Sequence, residues 1–306
     1  MSKLFMMIGL PASGKSTIAR EMVMTEDAEI VSSDLIRKEL FGSEEVQKDN
    51  NKVFEIVHNR LIEGLEAGKN MIFDATNIDY KKRRAFLQRL NKLNVQKIAI
   101  LVATPYEECL ERNAKRKRKV PEEAITRMYH NFYIPQRYEG FDEIIIKYNS
   151  DYSFNVYDLE DIPQDNPHHS LKVLEHCNKV LENINKEMFG LLGIDVKIAG
   201  YLHDIGKLKT KTFVNSKGET TEIAHYYNHE KVSAYDALFS NDIRTQVEDV
   251  LVTTNDFVLD ILCLIQWHMI MHFNFEEKTI LKYKNMLGEE MWDKLEILHK
   301  ADCEAC

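Results

Sequence analysis

Residues Gly9-Leu10-Pro11-Ala12-Ser13-Gly14-Lys15-Ser16 spell G-x-x-x-x-G-K-S, between an apolar run (Leu4-Phe5-Met6-Met7-Ile8) and a helix-like stretch opening at Thr17. The glycines let backbone N–H groups close around a polyphosphate at a helix N-terminus. Lys15 supplies positive charge for the β and γ phosphates, and the Ser16 hydroxyl can ligate Mg²⁺. A turn that merely joins strand to helix would not need all four fixed positions. The expected ligand is ATP or another nucleoside triphosphate with Mg²⁺, held by Gly9, Ser13, Gly14, Lys15, Ser16 and Thr17.

The surrounding sequence repeats this strand-then-helix pattern. Apolar runs at 3–8, 28–32, 70–73, 97–103 and 143–147 alternate with amphipathic helical stretches. Near-continuous apolar strands separated by helices predict a parallel sheet covered on both faces, with ligands gathering at the carboxyl ends of the strands. After Asp161-Ile162-Pro163-Gln164-Asp165-Asn166-Pro167 the pattern turns helical almost throughout, and every histidine except His58 and His130 falls there. The fold expected is α/β over 1–155, a phosphate-loop (P-loop) domain with a parallel sheet, followed by an all-α domain over 156–306.

Charge and cysteine usage narrow the classes. A net charge of −9 excludes a globally basic nucleic-acid binder, so any such contact must be local. Lys81-Lys82-Arg83-Arg84 reads as the solvated first turn of an amphipathic helix, and Lys115-Arg116-Lys117-Arg118-Lys119 as a basic loop ending where Val120-Pro121 breaks the chain. No apolar run approaches the roughly 18 residues of a membrane span. No signal peptide precedes the first strand, and the five cysteines suggest no disulfide framework, so a cytoplasmic, reducing location without membrane contact is expected. Cys303-Glu304-Ala305-Cys306 spells C-x-x-C without a second pair and reads as a tail rather than a metal or redox motif.

Acceptor chemistry must come from the other strand ends. If Asp34 caps the next helix, Arg37 faces the same way; a carboxylate there could take the proton of an attacking hydroxyl while the guanidinium holds a phosphate. A plain N-cap is the competing reading. Phe73-Asp74-Ala75-Thr76-Asn77 puts an aspartate at a strand terminus near the Mg²⁺, or is simply turn chemistry. Arg112 and Arg116 share a helical face, as a phosphate lid or as a solvated surface.

Together these elements resemble the 5′-hydroxyl polynucleotide kinases over about residues 1–150. The resemblance implies that Asp34 activates the 5′-hydroxyl and that Arg37 binds the acceptor's 3′-side phosphate. It maps the D-x-T-N element onto Asp74, Thr76 and Asn77, and the lid onto Arg112, Asn113, Lys115, Arg116, Val120 and Pro121, with Arg116 at the transition state. Ser33 departs from members that carry a second aspartate there.

In the second half, His203-Asp204-Ile205-Gly206-Lys207 follows an apolar helix, with His176 upstream and His229, His268 and Asp302 downstream. Imidazoles and carboxylates converging from several helices suit one or two divalent transition metals, with Mn, Fe, Co or Ni favoured over a structural zinc cage. The ordered set resembles the HD-domain phosphohydrolases over roughly 165–306. The resemblance implies a first metal on His176, His203, Asp204 and Asp302, a second on His229, His268 and the bridging Asp204, and Lys207 near the substrate phosphate. It leaves His168 and His169 as candidate contacts, and His225, His272 and His299 as surface or supporting residues.

The two resemblances imply a bifunctional end-healing enzyme acting on RNA or DNA ends together with a separate ligase. It would phosphorylate a 5′-hydroxyl with ATP and open a 2′,3′-cyclic phosphate or remove a 3′-phosphate. No D-x-D-x-T phosphatase motif occurs, so 3′ chemistry falls to the histidine and aspartate site. One alternative is a nucleoside or metabolite kinase joined to a nucleotidase. Another is a nucleotide-sensing regulator.

Overall fold

The computed structural model describes residues 1–46, 48–167, 170–188, 190, 193–248 and 255–306. His168 and His169 lie outside them. The chain forms two compact units, Met1–Met128 with Pro135–Asp151, and Tyr129–Ile134 with Tyr152–Cys306.

In the first unit the order is β1 (Ser2–Ile8), α1 (Lys15–Thr25), β2 (Ala28–Ser32), α2 (Ser33–Phe41), α3 (Asn50–Glu66), β3 (Asn70–Asp74), α4 (Tyr80–Arg89), β4 (Val95–Ala103), α5 (Tyr106–Ala114), α6 (Glu122–Tyr129) and β5 (Glu143–Tyr148). The strands make one parallel sheet in the order β2-β3-β1-β4-β5. Leu4, Met6 and Ile8 on one face of β1 and Phe5 and Met7 on the other are all at most 3% exposed. A strand buried on both faces belongs at the centre, and Phe5 sits in register with Ile72 on one side and Ile98 on the other. Phe5 and Met7 pack with Ala19 of α1, Ile72, Ile98 and Ile100 in one core cluster. The edge strands carry charge outward, at Glu29 of β2 and Glu143 and Lys147 of β5, which discourages further strand pairing.

The second unit is helical: α7 (Val173–Glu187), α8 (Ile194–Leu202), α9 (Lys207–Thr210), α10 (His229–Ala237), α11 (Asn241–Glu248), α12 (Asn255–Trp267), α13 (Glu277–Leu287) and α14 (Glu289–Cys303). Between α9 and α10 it adds an antiparallel hairpin, β6 (Thr212–Val214) and β7 (Thr220–His225), which the periodicity does not announce. The turn between the strands is held by the Asn215 carboxamide oxygen, which accepts from the backbone of Lys217 and Glu219 at 3.0 Å each. Tyr129–Ile134 also contributes here, with the Tyr129 hydroxyl donating to Asp236 at 2.6 Å and the Ile134 amide to Gln266 at 2.7 Å. Gly206 is required by close approach: a Cβ there would meet the His229 carbonyl at 2.4 Å and the Ser233 amide at 2.5 Å. The turn after α8 is thereby seated on α10, and two sets of candidate ligands meet.

Candidate functional sites

The phosphate loop leaves β1 at its carboxyl end. Gly14 adopts φ 97°, and a Cβ on it would strike the Asn149 side chain at 2.2 Å. The Ser13 carbonyl accepts from Thr104 Oγ1 and from Asn149 Nδ2, both at 2.8 Å, so the ends of β4 and β5 hold the loop. The Gly9 amide donates to the Thr76 carbonyl at 3.1 Å, and Asn77 Nδ2 donates to the Met7 carbonyl at 2.9 Å. Gly9, Ser13, Thr76 and Asn77 thus tie the phosphate loop to the ends of its neighbouring strands. Thr17 lies exposed in the first turn of α1, where its hydroxyl accepts from Arg20 at 3.4 Å.

Lys15 is 7% exposed and donates to the Leu10 carbonyl at 2.6 Å. Burial pushes its pKa down to about 8, opposed by the carboxylates of Asp74 and Asp34, and Arg116 adds to the depression. A buried ammonium hydrogen-bonded to the uncharged Leu10 carbonyl and Ser13 hydroxyl suits an anionic ligand. Ser16 Oγ donates to Asp74 Oδ2 at 2.9 Å, joining the two groups that suit Mg²⁺. Burial raises the Asp74 pKa, with the Ser16 hydrogen bond and Lys15 pulling it back.

The helix after β2 starts two residues earlier than a cap at Asp34 would have it. Ser32 occupies the cap and Asp34 lies in the first turn of α2, so its carboxylate is free for side-chain partners. Arg37 Nη1 donates to Asp34 at 3.0 Å and Arg37 Nη2 to Asn50 at 3.0 Å, while the buried Arg37 Nε has no hydrogen-bond partner. Asp34 also receives Arg118 at 2.7 and 3.3 Å, and Arg118 bonds Glu44 at 3.1 Å.

The basic loop differs from the expected continuous helical face. α5 ends at Ala114, so Arg116 lies beyond it. The cause is Asn113: its Nδ2 donates to the Val120 carbonyl at 2.8 Å and its Oδ1 accepts from the Val120 amide at 2.9 Å, closing the loop just before Pro121. Arg112 is engaged by Glu108 at 2.8 Å and the Asn149 carbonyl at 2.7 Å, while Lys115 and Arg116 stay exposed. Of the five cations, the sequence points to Arg116, whereas the one that reaches Asp34 is Arg118. The run Lys81–Arg84 reads as solvated, whereas Arg83 is 2% exposed and forms a bidentate pair with buried Glu139 at 2.6 and 2.7 Å. Its remaining donor reaches the Asn77 carbonyl at 2.8 Å, bracing the loop after β3. The missed signal is a lone acid 56 positions later, which local patterning cannot pair.

In the second unit, His176 (α7), His203 and Asp204 (after α8), His229 (start of α10), His268 (after α12) and Asp302 (α14) converge, each buried. Asp204 Oδ2 lies 3.4 Å from His203 Nε2, 3.6 Å from His176 Nε2 and 2.6 Å from Lys207 Nζ; Oδ1 lies 3.1 Å from His229 Nε2 and 3.7 Å from His268 Nε2. One carboxylate therefore faces two pairs of imidazoles, one pair per oxygen. Asp302 Oδ1 lies 2.8 Å from His176 Nε2 and 3.7 Å from His203 Nε2, and its Oδ2 lies 2.9 Å from His272 Nε2. Lys207 also donates to Gln164 at 2.9 Å.

The donor set fits divalent cations. His203, His229 and His268 each direct Nδ1 at a backbone carbonyl three residues earlier, Gly200, Tyr226 and Ile265, at 2.7–2.8 Å. A proton on each Nδ1 turns the Nε2 lone pairs inward, and two such lone pairs face each other at 3.3 Å between His229 and His268. His203 Nε2 and Asp204 Oδ1 are buried without a hydrogen-bond partner. Electrostatics are correspondingly strained. Burial opposes it, yet the Asp204 carboxylate holds His203 well above the usual imidazole pKa, while His203 and Lys207 hold Asp204 well below the carboxylate range. Burial and the neighbouring imidazoles push His268 well down. Against its burial, hydrogen bonds from His176, His203 and His272 keep Asp302 ionised. His176, His203 and Asp204, and separately Asp204, His229 and His268, bring their donor atoms within 4.8 Å of one another.

Residues 4–135 match the family model of an AAA domain, and residues 168–302 that of the HD domain. The L-seryl-tRNA(Sec) kinase of Methanococcus maripaludis is 29% identical over 220 residues, covering 68% of this chain and 83% of that protein. A chain from the structure of the Pnkp1/Rnl/Hen1 RNA repair complex is 26% identical over 42% of this chain and 42% of its own length, at a TM-score of 0.39. A gluconokinase from Sinorhizobium meliloti 1021 is 12% identical, covering 48% of this chain and 82% of that one, at a TM-score of 0.36. Scores of this size do not establish a common architecture. Among the described residues, no helix is long and apolar enough to cross a membrane.

Proposed function

We propose that this chain, which joins a P-loop kinase domain to an HD domain, is a bifunctional RNA end-healing enzyme that works ahead of a separate ligase. Its first unit is an ATP-dependent 5′-hydroxyl kinase, and its second a metal-dependent 2′,3′-cyclic phosphodiesterase or 3′-phosphatase. The observation that carries the reading is the Asp34–Arg37 pair at 3.0 Å, close enough to Lys15 for Asp34 to act on its charge. A neutral small acceptor has no use for a guanidinium beside its hydroxyl, whereas the terminal nucleoside of a polynucleotide brings a phosphate there.

In the kinase reaction Lys15 and the backbone amides opening α1 bind the β and γ phosphates, and Ser16 and Asp74 would hold Mg²⁺, which supplies charge neutralisation when bound. Asp34 takes the proton of the 5′-hydroxyl as its oxygen bonds to the γ phosphorus. The bond from that phosphorus to the β–γ bridging oxygen breaks, and ADP leaves. Arg37 orients the acceptor through its 3′-side phosphate. Binding of that phosphate releases Arg37 and Arg118 from Asp34, and Arg112 and Arg116 offset charge on the transferring group.

In the second site His176, His203, Asp204 and Asp302 would hold one ion, and His229, His268 and Asp204 another. Bound ions of the Mn, Fe, Co or Ni class supply Lewis acidity toward a phosphoester. Lys207 pairs with the substrate phosphate, and the Nδ1 hydrogen bonds keep His203, His229 and His268 in one tautomer and orientation.

The test is mass spectrometry of a short RNA bearing a 5′-hydroxyl and a 2′,3′-cyclic phosphate, incubated with protein, ATP, Mg²⁺ and Mn²⁺. A phosphate gained at the 5′ end and a cyclic end opened or lost supports the proposal. The relative named for seryl-tRNA supports a second reading, a kinase for an RNA-borne hydroxyl that is not the 5′ end. An unchanged oligonucleotide, with ATP consumed only when an aminoacylated tRNA is added, would favour it. ATP consumed only with nucleosides or sugars would remove both.

A further inference from the structure

On the outer side of Asp302 lies a cluster that neither proposed activity uses. His299 and Cys303 are one helical turn apart on α14, so both side chains emerge on the same face. Cys303 Sγ is 3.8 Å from His299 Nδ1. His272, the last residue of the 3-10 turn His268–His272, crosses to this face, its Nε2 3.3 Å from His299 Nδ1 and the rings edge-on at 85°. The three donor atoms lie within 4.8 Å of one another.

We propose that His272, His299 and Cys303 form a further metal site that takes a soft divalent ion of the zinc class. Tetrahedral ligation with metal–nitrogen bonds of about 2.0–2.1 Å and a metal–sulfur bond of about 2.3 Å requires donors about 3.3 Å apart for two nitrogens and about 3.6 Å for nitrogen and sulfur. Two of the three spacings, at 3.3 and 3.8 Å, are close to those values, and the third pair lies within 4.8 Å. The thiolate distinguishes this set from the histidine and aspartate ligands of the HD site, because sulfur selects zinc-like ions over harder ones. His272 and Cys303 are solvent-exposed, so an ion can load from solution and keep a water in its fourth position. Asp302 links the two sites: Oδ1 meets His176 at 2.8 Å while Oδ2 meets His272 at 2.9 Å. That oxygen meets the same His272 Nε2 that would ligate, so an ion bound there takes the place of this contact and frees one oxygen of an HD-site carboxylate. C-x-x-C is not the operative pattern; only its first cysteine takes part.

The experiment is Co²⁺ titration of the full chain after chelator treatment, read by the near-ultraviolet thiolate-to-cobalt charge-transfer band. The proposed HD ligands contain no sulfur, so their filling does not produce that band. We expect one band-forming equivalent per chain, lost in Cys303→Ser and in His299→Ala and retained in Cys306→Ser. Zinc bound per chain should fall by one in Cys303→Ser. Absence of the band in the unmodified protein, or its survival in Cys303→Ser or His299→Ala, would overturn the site. A band lost only in Cys306→Ser would assign the thiolate to the ions near His176 instead, leaving His272, His299 and Cys303 a plain hydrogen-bonded chain. Cobalt absorption lacking the thiolate band, abolished by Asp204→Ala, reports the HD site separately.

Discussion

The two sites manage their unpaired charge in different ways. In the P-loop unit nearly every polar group of the site has a temporary partner: Lys15 holds the Leu10 carbonyl, Ser16 holds Asp74, and Asp34 is clasped by Arg37 and Arg118. In the HD unit the imidazoles of His203, His229 and His268 are tied to backbone carbonyls on their outer nitrogens, and His203 Nε2 and Asp204 Oδ1 face inward with no hydrogen bond. Side chains that can exchange partners suit a ligand that arrives and leaves each turnover. Rigid orphaned donors suit ions that stay.

The largest test of that contrast is Asp204→Ala. Its carboxylate faces both imidazole pairs, so the substitution should lower divalent metal content and reduce phosphoesterase activity more than about a hundredfold. Kinase turnover, measured in the same preparation, should stay within error. Removal of tightly held transition metal should likewise lower the thermal stability of the HD unit, with nucleotide binding intact once Mg²⁺ is restored.

Next in size is Glu139→Gln. Removing the partner of a buried guanidinium costs about 3–5 kcal/mol, read as a lower denaturation midpoint for the first unit. Because Arg83 also braces Asn77, nucleotide affinity should fall with it.

A third prediction concerns Lys15, whose pKa falls to about 8 in the folded chain against the usual 10.5. The unfolded state therefore binds more protons between those values, and stability rises with pH across that window. Lys15→Met removes the buried charge. It should stabilise the nucleotide-free protein by up to about 3 kcal/mol below pH 8, a gain that fades toward pH 10.5. Denaturant titrations at pH 7 and pH 10 check the sign. No gain at pH 7 would mean that Lys15 is already well compensated without nucleotide.

Smallest is Arg118→Ala. A partly exposed ion pair is worth less than about 1 kcal/mol, so stability should barely move. The KM for an RNA acceptor should rise severalfold, with little change in KM for ATP. Unchanged acceptor KM would mean that Arg118 only parks on Asp34.

What could be read before folding follows the range of the interaction. The phosphate loop, the parallel strands and the spacing of Asp34 from Arg37 are local patterns, and the sheet register and the 3.0 Å pair agree with them. The fate of individual cations is not local. Arg83 and its neighbours Lys81 and Lys82 look alike in sequence, yet Arg83 is buried because Glu139 waits across the domain. Arg118 rather than Arg116 turns toward Asp34 because Asn113 and Val120 close the loop at a fixed length. The hairpin β6–β7 is short and interrupts a helical pattern, so periodicity passes over it. His272 meets Asp302 only through a 3-10 turn whose geometry no helical spacing rule supplies.

The most direct test of the central claim, two separately built sites on one chain, is the RNA with a 5′-hydroxyl and a 2′,3′-cyclic phosphate presented to Lys15→Ala and to Asp204→Ala, each read by mass spectrometry. Lys15→Ala should still change the 3′ end and leave the 5′ end bare, and Asp204→Ala should do the reverse. Loss of both mass changes in either variant, with the protein folded, would contradict the account.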